Sequence, residues 1–201
     1  MEVVIIGAGG FATQVIEVFE LTGVKILGLL DDKREEPLLG YPILGKISPT
    51  NSQAHSLFCA IGSTSVRRKI YETFPKNWIN CIHPTAIVSK YATIGVGNYI
   101  GPGACLMPRV TIGDNNILDP LSLLSHDVVL GSHNHVAGHS SILGRVRIGD
   151  GNLIGSNSTI LPDLILGDNN ILGAGAVCTK SVCNQKIMVG VPARERPEVD
   201  Q

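Results

Sequence analysis

The sequence predicts a parallel β-helix of six-residue repeats preceded by a small Rossmann-like α/β domain. Three observations carry that reading: an aliphatic side chain at every sixth position from Val88 onward, a glycine and an asparagine recurring every eighteen residues on top of it, and a Gly-x-Gly-x-x-Ala turn after an apolar N-terminal strand.

The elements of residues 1–80 follow from local pattern. Val3 to Ile6 reads as a strand, Phe11 to Leu21 as a helix, Val24 to Leu30 as a second strand and Leu57 to Ile61 as another. Ser63 or Thr64 then caps a helix through Tyr71. Ser48 to Gln53, polar and containing Pro49, reads as a loop, and Lys76 to His83 crosses into the repeats. This is half of a doubly wound sheet. Gly7-x-Gly9-x-x-Ala12 opens the first helix, and Asp31-Asp32 follow the second strand, where ribose hydroxyls are usually held. The pattern points to a nucleotide; the bland alternative is that the glycines only permit a tight strand-to-helix turn. A dehydrogenase would need two mononucleotide halves, for which the stretch before the repeats is too short. One half suits a mononucleotide or a nucleotide sugar.

Residues 81–201 form the second unit. Aliphatic residues stand at Val88, Ile94, Ile100, Leu106, Ile112, Leu118, Leu124, Leu130, Val136, Ile142, Ile148, Ile154, Ile160, Leu166 and Leu172, with Cys178 next and no slip. Two residues before each stands a mostly small or compact one, from Ala86 to Ala176, so both positions are expected to point inward. Gly95, Gly113, Gly131, Gly149 and Gly167, and Asn98, Asn116, Asn134, Asn152 and Asn170, make three hexads one coil. Because glycine and asparagine tolerate positive φ best, Gly-x-x-Asn is expected to be one stacked corner. An α-helix is excluded, since a period of six does not keep one face of a 3.6-residue helix. One coil cannot bury its aliphatics alone; stacking turns them into a continuous column, at roughly 1.5–3 kcal/mol per buried side chain.

Composition removes several classes of function. The chain is 44% hydrophobic but only 16% charged and 4% aromatic, which suits repetitive extended backbone better than exposed helices. A net charge of −1 offers no basic stripe for nucleic acid or anionic lipid. Five cysteines without a Cys-x-x-Cys pair imply neither a disulfide framework nor a zinc knuckle. The stretch Met1 to Ile6 is too short for a signal peptide or a membrane span, so a cytoplasmic protein is expected.

The combination resembles the sialic-acid O-acetyltransferase and nucleotide-aminosugar N-acetyltransferase family of hexapeptide-repeat acyltransferases. The residues that carry the resemblance are Gly7-Ala8-Gly9-Gly10, Leu30-Asp31-Asp32, Ala60-Ile61-Gly62 with Arg67, Ile82-His83-Pro84-Thr85-Ala86, Leu106-Met107-Pro108, Ser125-His126-Asp127, Gly173-Ala174-Gly175-Ala176 and Val189-Gly190-Val191-Pro192-Ala193. The resemblance implies a left-handed β-helix, a homotrimer, and acetyl-CoA as co-substrate in the groove between neighbouring β-helices. It implies His126 as general base with Asp127 as its partner, and acetyl-CoA contacts from His135, Gly144, Ser156 and Ala174. It also implies sugar-nucleotide binding by Gly9, Gly10, Phe11, Asp31, Asp32 and Gly62, with Asp119 near the reactive sugar group. Phe11 is a departure, because relatives commonly carry histidine there to hold the diphosphate. The expected reaction is acetylation of the amino group of a nucleotide-linked amino (dideoxy) sugar, in surface-glycan or glycoprotein sugar biosynthesis. The alternative is O-acetylation of sialic acid or another sugar hydroxyl.

Position supports the choice of histidine. His126 takes a hexad place given to Pro108, Gly144 and Pro162 in other coils, a corner rather than the interior. Acyl transfer needs a base for the proton of the attacking amine or hydroxyl. His135 takes an outward strand place held elsewhere by Tyr99, Ile117, Leu153 and Ile171. The remaining histidines raise a zinc-dependent lyase on the same scaffold, but the spacing of His126, His133, His135 and His139 lacks its His-x-x-x-x-His pair, so no metal is expected. His55 and His83 read as structural or solvated, and a non-catalytic scaffold is the remaining rival.

Overall fold

The structure is a computed structural model that describes residues 1–51, 55–74 and 77–196. It begins with a four-stranded parallel sheet in the order β3-β2-β1-β4, formed by β1 (Glu2–Ile6), β2 (Lys25–Leu30), β3 (Ile43–Gly45) and β4 (Ser56–Cys59). The sequence pattern did not announce β3. Helix α1 (Gly10–Leu21) connects β1 to β2, and α2 (Thr64–Thr73) follows β4. Strand alternation decides which helix covers which face. Val3 and Ile5 pack under Ala12, Val15, Ile16 and Phe19 of α1, whereas Val4 and Ile6 pack under Ile70 and Tyr71 of α2. Ser63 is the N-cap of α2, but its side chain makes no capping bond. Pro49–Asn51 is a short 3₁₀ turn inside the expected loop, whose residues 52 and 53, like Lys76, lie outside the described residues.

From Cys81 the chain winds into a left-handed parallel β-helix with three faces. The first stacks strands containing Tyr99, Ile117, His135, Leu153 and Ile171; the second, Cys105, Leu123, Ser141 and Thr159; the third, Thr93, Thr111, Val129, Arg147 and Ile165. Each residue pairs with the one eighteen positions on, as Thr111 does with Val129 and Ile117 with His135. The periodic aliphatics from Ile100 to Leu172 are all buried, in one apolar column. Asn98, Asn116, Asn134, Asn152 and Asn170 run through it as a ladder in which each side-chain oxygen accepts the backbone N–H of the asparagine one coil on, at 2.8 Å. This satisfies amides that burial would otherwise strand.

The expected Gly-x-x-Asn corner needs correction. The left-handed residue is the one before each asparagine: Gly97, Asn115, His133, Gly151 and Asn169, with φ between 55 and 72°. The same holds at the other corners, so that Arg109, Leu121, Asp127, His139, Arg145, Asn157 and Asp163 also lie between 58 and 64°. Glycine recurs two residues earlier for a steric reason. A Cβ on Gly113 would stand 2.5 Å from Ser132 Oγ and 2.9 Å from Gly131 O of the next coil. Near the C-terminal end the coil shortens, and Ile171 pairs with Ile187 instead of a residue eighteen on.

The two parts share packing. Tyr99 and Ile117 face outward from the first face yet are 1% and 2% exposed, because α1 and the sheet cover them. On the other side Arg67 of α2 is 1% exposed and donates to five backbone carbonyls: Ile61, Gly62, Asn115, His133 and Asn134. Three of those belong to the β-helix. Cys59, Cys81 and Cys178 are buried packing residues, and burial pushes the Cys59 thiol up to about 12. Among the described residues, no helix is long and apolar enough to cross a membrane.

Candidate active site

His126 and Asp127 sit at the corner where the chain leaves the second face after Leu123–Leu124 and enters the third at Val129–Leu130. The left-handed backbone at Asp127 turns its carboxylate back toward its neighbour, so adjacent residues meet: His126 Nδ1 lies 2.8 Å from Asp127 Oδ2. One coil away, Arg109 forks onto the same carboxylate, with Nε at 2.6 Å from Oδ1 and Nη2 at 2.8 Å from Oδ2. The fork, and then the His126 bond, hold the Asp127 carboxyl far below the usual carboxylate range. An ionised carboxylate only accepts hydrogen bonds, so in the neutral ring Nδ1 carries the proton and Nε2 keeps its lone pair. The ring lies over Gly144, where a Cβ would come within 2.7 Å of both Cε1 and Nε2. Beside it a groove of about 600 Å³ is lined by Arg109, Asp127, Arg145, Arg147, Asp163 and Ile165.

Gly144 therefore gives the ring its seat, which makes a specific prediction. Gly144→Ala is expected to displace the His126 ring and, with His126 acting as the base that the sequence leads one to expect, to lower kcat by about tenfold or more, since small misplacements of a reacting group are costly. The melting temperature changes little by comparison, because the ring is 49% exposed and free to swing away. Steady-state kinetics set against thermal unfolding check this; wild-type kcat in that variant would remove the seat from the argument.

A second cluster occupies the opposite edge of the second face. His135 Nε2 lies 2.8 Å from Asp119 Oδ2, both side chains about a quarter exposed. Residues expected to serve acetyl-CoA and acceptor respectively thus form a His-Asp pair of their own. Asp119 also borders a groove of about 410 Å³ with Gln14, Glu17, His83, Tyr99 and His139. Ser156 and Ala174 are exposed further along this same corner, where Gly175 N donates to Ser156 O at 2.8 Å. Within one chain, then, Gly144 stands beside His126, while His135, Asp119, Ser156 and Ala174 stand apart from it across one face.

The N-terminal residues form a third group. Gly9 and Gly10 are exposed at the start of α1, Gly9 has no side-chain cap, and a Cβ on either would meet nothing within 4 Å. Helix starts of this kind receive anions readily. The Phe11 ring turns away onto Tyr99, edge to face at 5.0 Å. Asp31 spends its carboxylate on the protein: Oδ2 accepts from Ala8 N, and Oδ1 from Lys33 N and Arg34 N, all at 2.8 Å. Burial pushes this carboxyl up, but those three amides outweigh it and leave it below its ordinary value. Asp32 Oδ1 likewise accepts from Ile47 N at 3.0 Å. The acidic pair ties three loops together, a task the motif does not announce. Gly62 is exposed, and its carbonyl accepts from Arg67 Nη1 at 3.0 Å.

His133 is buried against Tyr71, with Nδ1 2.8 Å from Asn115 Nδ2, and burial lowers its pKa. Among the described residues, no group of three His, Cys, Asp or Glu side chains is placed to hold a metal ion. Two residues were given no role by the sequence: Arg67, which figured only in the resemblance and which holds the two parts together, and Arg109, which holds Asp127. Both left a signal. Arg67, Ile70, Tyr71 and Phe74 share one helical face at i, i+3, i+4 and i+7, and Arg109 stands one coil below Asp127.

Residues 2–74 match the PglD N-terminal domain, and residues 145–180 match the bacterial transferase hexapeptide (six repeats). Similar solved structures cover nearly the whole chain. PerB from Caulobacter crescentus, in complex with CoA and GDP-perosamine, is 31% identical over 98% of this chain and 97% of its own, with a TM-score of 0.89. The acetyltransferase domain of PglB from Neisseria gonorrhoeae, in complex with acetyl coenzyme A, is 27% identical over 97% and 98% of the two chains, also with a TM-score of 0.89. WeeI from Acinetobacter baumannii is 27% identical over 98% of this chain and all of its own, with a TM-score of 0.86. An uncharacterised protein of Acanthamoeba polyphaga mimivirus is 41% identical over 102 residues, a match that spans 49% of this chain but only 21% of that protein.

Proposed function

Because this chain belongs to the nucleotide-aminosugar N-acetyltransferase and sialic-acid O-acetyltransferase family of hexapeptide-repeat acyltransferases, we propose that it acetylates the amino group of a nucleotide-linked amino sugar, with His126 as general base. That it is an acetyl-CoA-dependent sugar acetyltransferase follows from the family. The amino-sugar acceptor and the base are the finer reading. One observation carries it: the His126 imidazole is tethered at Nδ1 by an ionised Asp127 and leaves Nε2 open above Gly144.

In this mechanism Nε2 of His126 removes the proton as the acceptor nitrogen attacks the thioester carbonyl. The resulting imidazolium is stabilised by Asp127 and returns a proton to the departing thiolate, giving an amide and free CoA. Proton transfer of this kind contributes ~10²- to 10⁴-fold. The small, exposed Ser156 and Ala174 leave backbone accessible to a pantetheine chain, and backbone N–H groups there would bond its carbonyls. Residues 1–80 serve as the nucleotide-sugar-binding unit, with Gly9, Gly10 and Gly62 facing open surface, and residues 81–201 as the acyl-transfer unit. A nucleotide diphosphate set at the start of α1 would use its free amides, with no contact from the Phe11 ring, which packs on Tyr99. Three of the expected acetyl-CoA residues, His135, Ser156 and Ala174, stand at one edge of the second face, and the fourth, Gly144, stands with the base at the other; this division fits a homotrimer in which adjacent protomers bring unlike edges together. Ile87 and Ile165, 63% and 57% exposed on the outer faces, are apolar surface that such packing would cover.

Acetyl-CoA at a hundred times its Kd stabilises the protein by about 2.7 kcal/mol, a rise of about 5–10 °C in melting temperature for a chain of this size. Release of free CoA is then followed across UDP-, dTDP- and GDP-linked amino sugars and sialic acid. Turnover with an amino-sugar nucleotide is expected. Turnover with sialic acid alone would replace this reading with O-acetylation, and the absence of any thermal shift would count against acetyl-CoA binding itself.

A further inference from the structure

We infer that Arg109 is a positioning residue for acetyl transfer, fixing through its fork the carboxylate that orients His126. The inference deepens the proposed function and rests on His126 being the base. Arg109, Asp127, Arg145 and Asp163 occupy one corner column, one per coil, all left-handed at φ 62 to 64°, with charges alternating in sign. Of the three neighbouring pairs the first and the last are two-point forks: Arg109 on Asp127, and Arg145 on Asp163 at 2.5 and 2.7 Å. The second fork shows what the device does by itself, which is to clip successive coils, since residue 162 before it is a proline.

Only at Asp127 does the clipped carboxylate also hold an imidazole. Oδ2 takes both Arg109 Nη2 and His126 Nδ1, each at 2.8 Å, while Oδ1 takes Arg109 Nε at 2.6 Å. The left-handed backbone sets where the Asp127 side chain starts, but rotation about its own bonds is stopped by the two-point fork. A carboxylate free to rotate would let Nδ1 go, and Nε2 would lose its direction over Gly144. Arg109 also neutralises Asp127. The other charges facing the dyad are Arg145 and Asp163; Arg145 acts on Asp127 at a distance but gives its own fork to Asp163. Without Arg109 the Asp127 charge beside the ring is therefore less compensated.

The test compares kcat, KM for acetyl-CoA, the pH profile of kcat/KM and the melting temperature of wild type, Arg109→Gln, Arg109→Lys and His126→Ala. Arg109→Gln is expected to lower kcat by about tenfold, to leave KM within about twofold, and to move the acidic limb up by about half a unit or more. Arg109→Lys returns the charge but not the fork, so the limb returns toward wild type while kcat stays low. An Arg109→Gln enzyme with a lower melting temperature but wild-type kcat and limb would reduce Arg109 to a coil clip and overturn the inference. So would equal loss at every pH, or a raised KM with kcat intact, which would make Arg109 a co-substrate contact. Full activity in His126→Ala would instead remove the base on which the inference rests, whatever Arg109 does.

Discussion

Replacing His126 by alanine lowers kcat for acetyl transfer by about 10²- to 10⁴-fold, the range that a positioned general base supplies. The half-exposed ring packs against little except the face of Gly144, so the melting temperature stays close to wild type. A large kinetic effect with a small thermal one separates chemistry from folding. Loss confined to KM would instead make His126 a binding group, because removing only uniform binding leaves kcat unchanged. Activity retained at the wild-type level would pass the role of base to the second His-Asp pair, His135 with Asp119.

The second large effect concerns stability. Arg67→Met destabilises the protein by about 3–5 kcal/mol, because it strips donors from five carbonyls, those of Asn115, His133 and Asn134 buried, and lowers the melting temperature by roughly 10 °C. Burial has already pulled the guanidinium pKa down to about 10, which leaves it charged at neutral pH. Its charge is spread over five carbonyl dipoles, and the Asp119 carboxylate acts on it only from a distance. Arg67→Lys rescues little, since one ammonium with three donors cannot span Ile61 and Gly62 on one side and Asn115, His133 and Asn134 on the other. Calorimetric unfolding of the two variants decides it. Near-wild-type melting of Arg67→Met would mean that apolar packing around Tyr99 and Ile117 suffices to hold the domains.

Elements governed by period were legible. Val88 to Cys178 announced the coil because each inward residue recurs at one spacing, and stacking makes that spacing the condition for burial. Strands of two residues carry no such signal alone. The left-handed corner was read two residues too early at one end of Gly-x-x-Asn and one too late at the other. Glycine recurs there for clearance from the next coil and asparagine for a buried ladder, so composition pointed to conformation for the wrong reason. β3 was not legible because Ile43–Gly45 is short and pairs at an edge. The site divided along the same line. The corner position of His126 could be counted, whereas the direction of its ring depends on a fork from eighteen residues away. Asp31 shows the converse: a nucleotide motif in sequence, but in space a carboxylate bound by Ala8, Lys33 and Arg34.

The vertical asparagine ladder limits how such a chain can change length during evolution. An insertion of six residues would move every later side chain to the next face and leave the asparagine rungs with no partner above. An insertion of eighteen restores each rung to its place. Even whole coils are not equally tolerable everywhere. Arg67 grips carbonyls at Asn115, His133 and Asn134, on either side of His126 in sequence, so a coil added between Gly97 and Asn134 would shift the N-terminal domain relative to the dyad. Beyond Asp163 neither the Arg67 clasp nor the His126–Asp127 pair depends on the count. There the spacing already relaxes, with Lys186 N reaching Asn170 Oδ1 after sixteen residues, so a change of coil length at that end leaves the ladder below it in register.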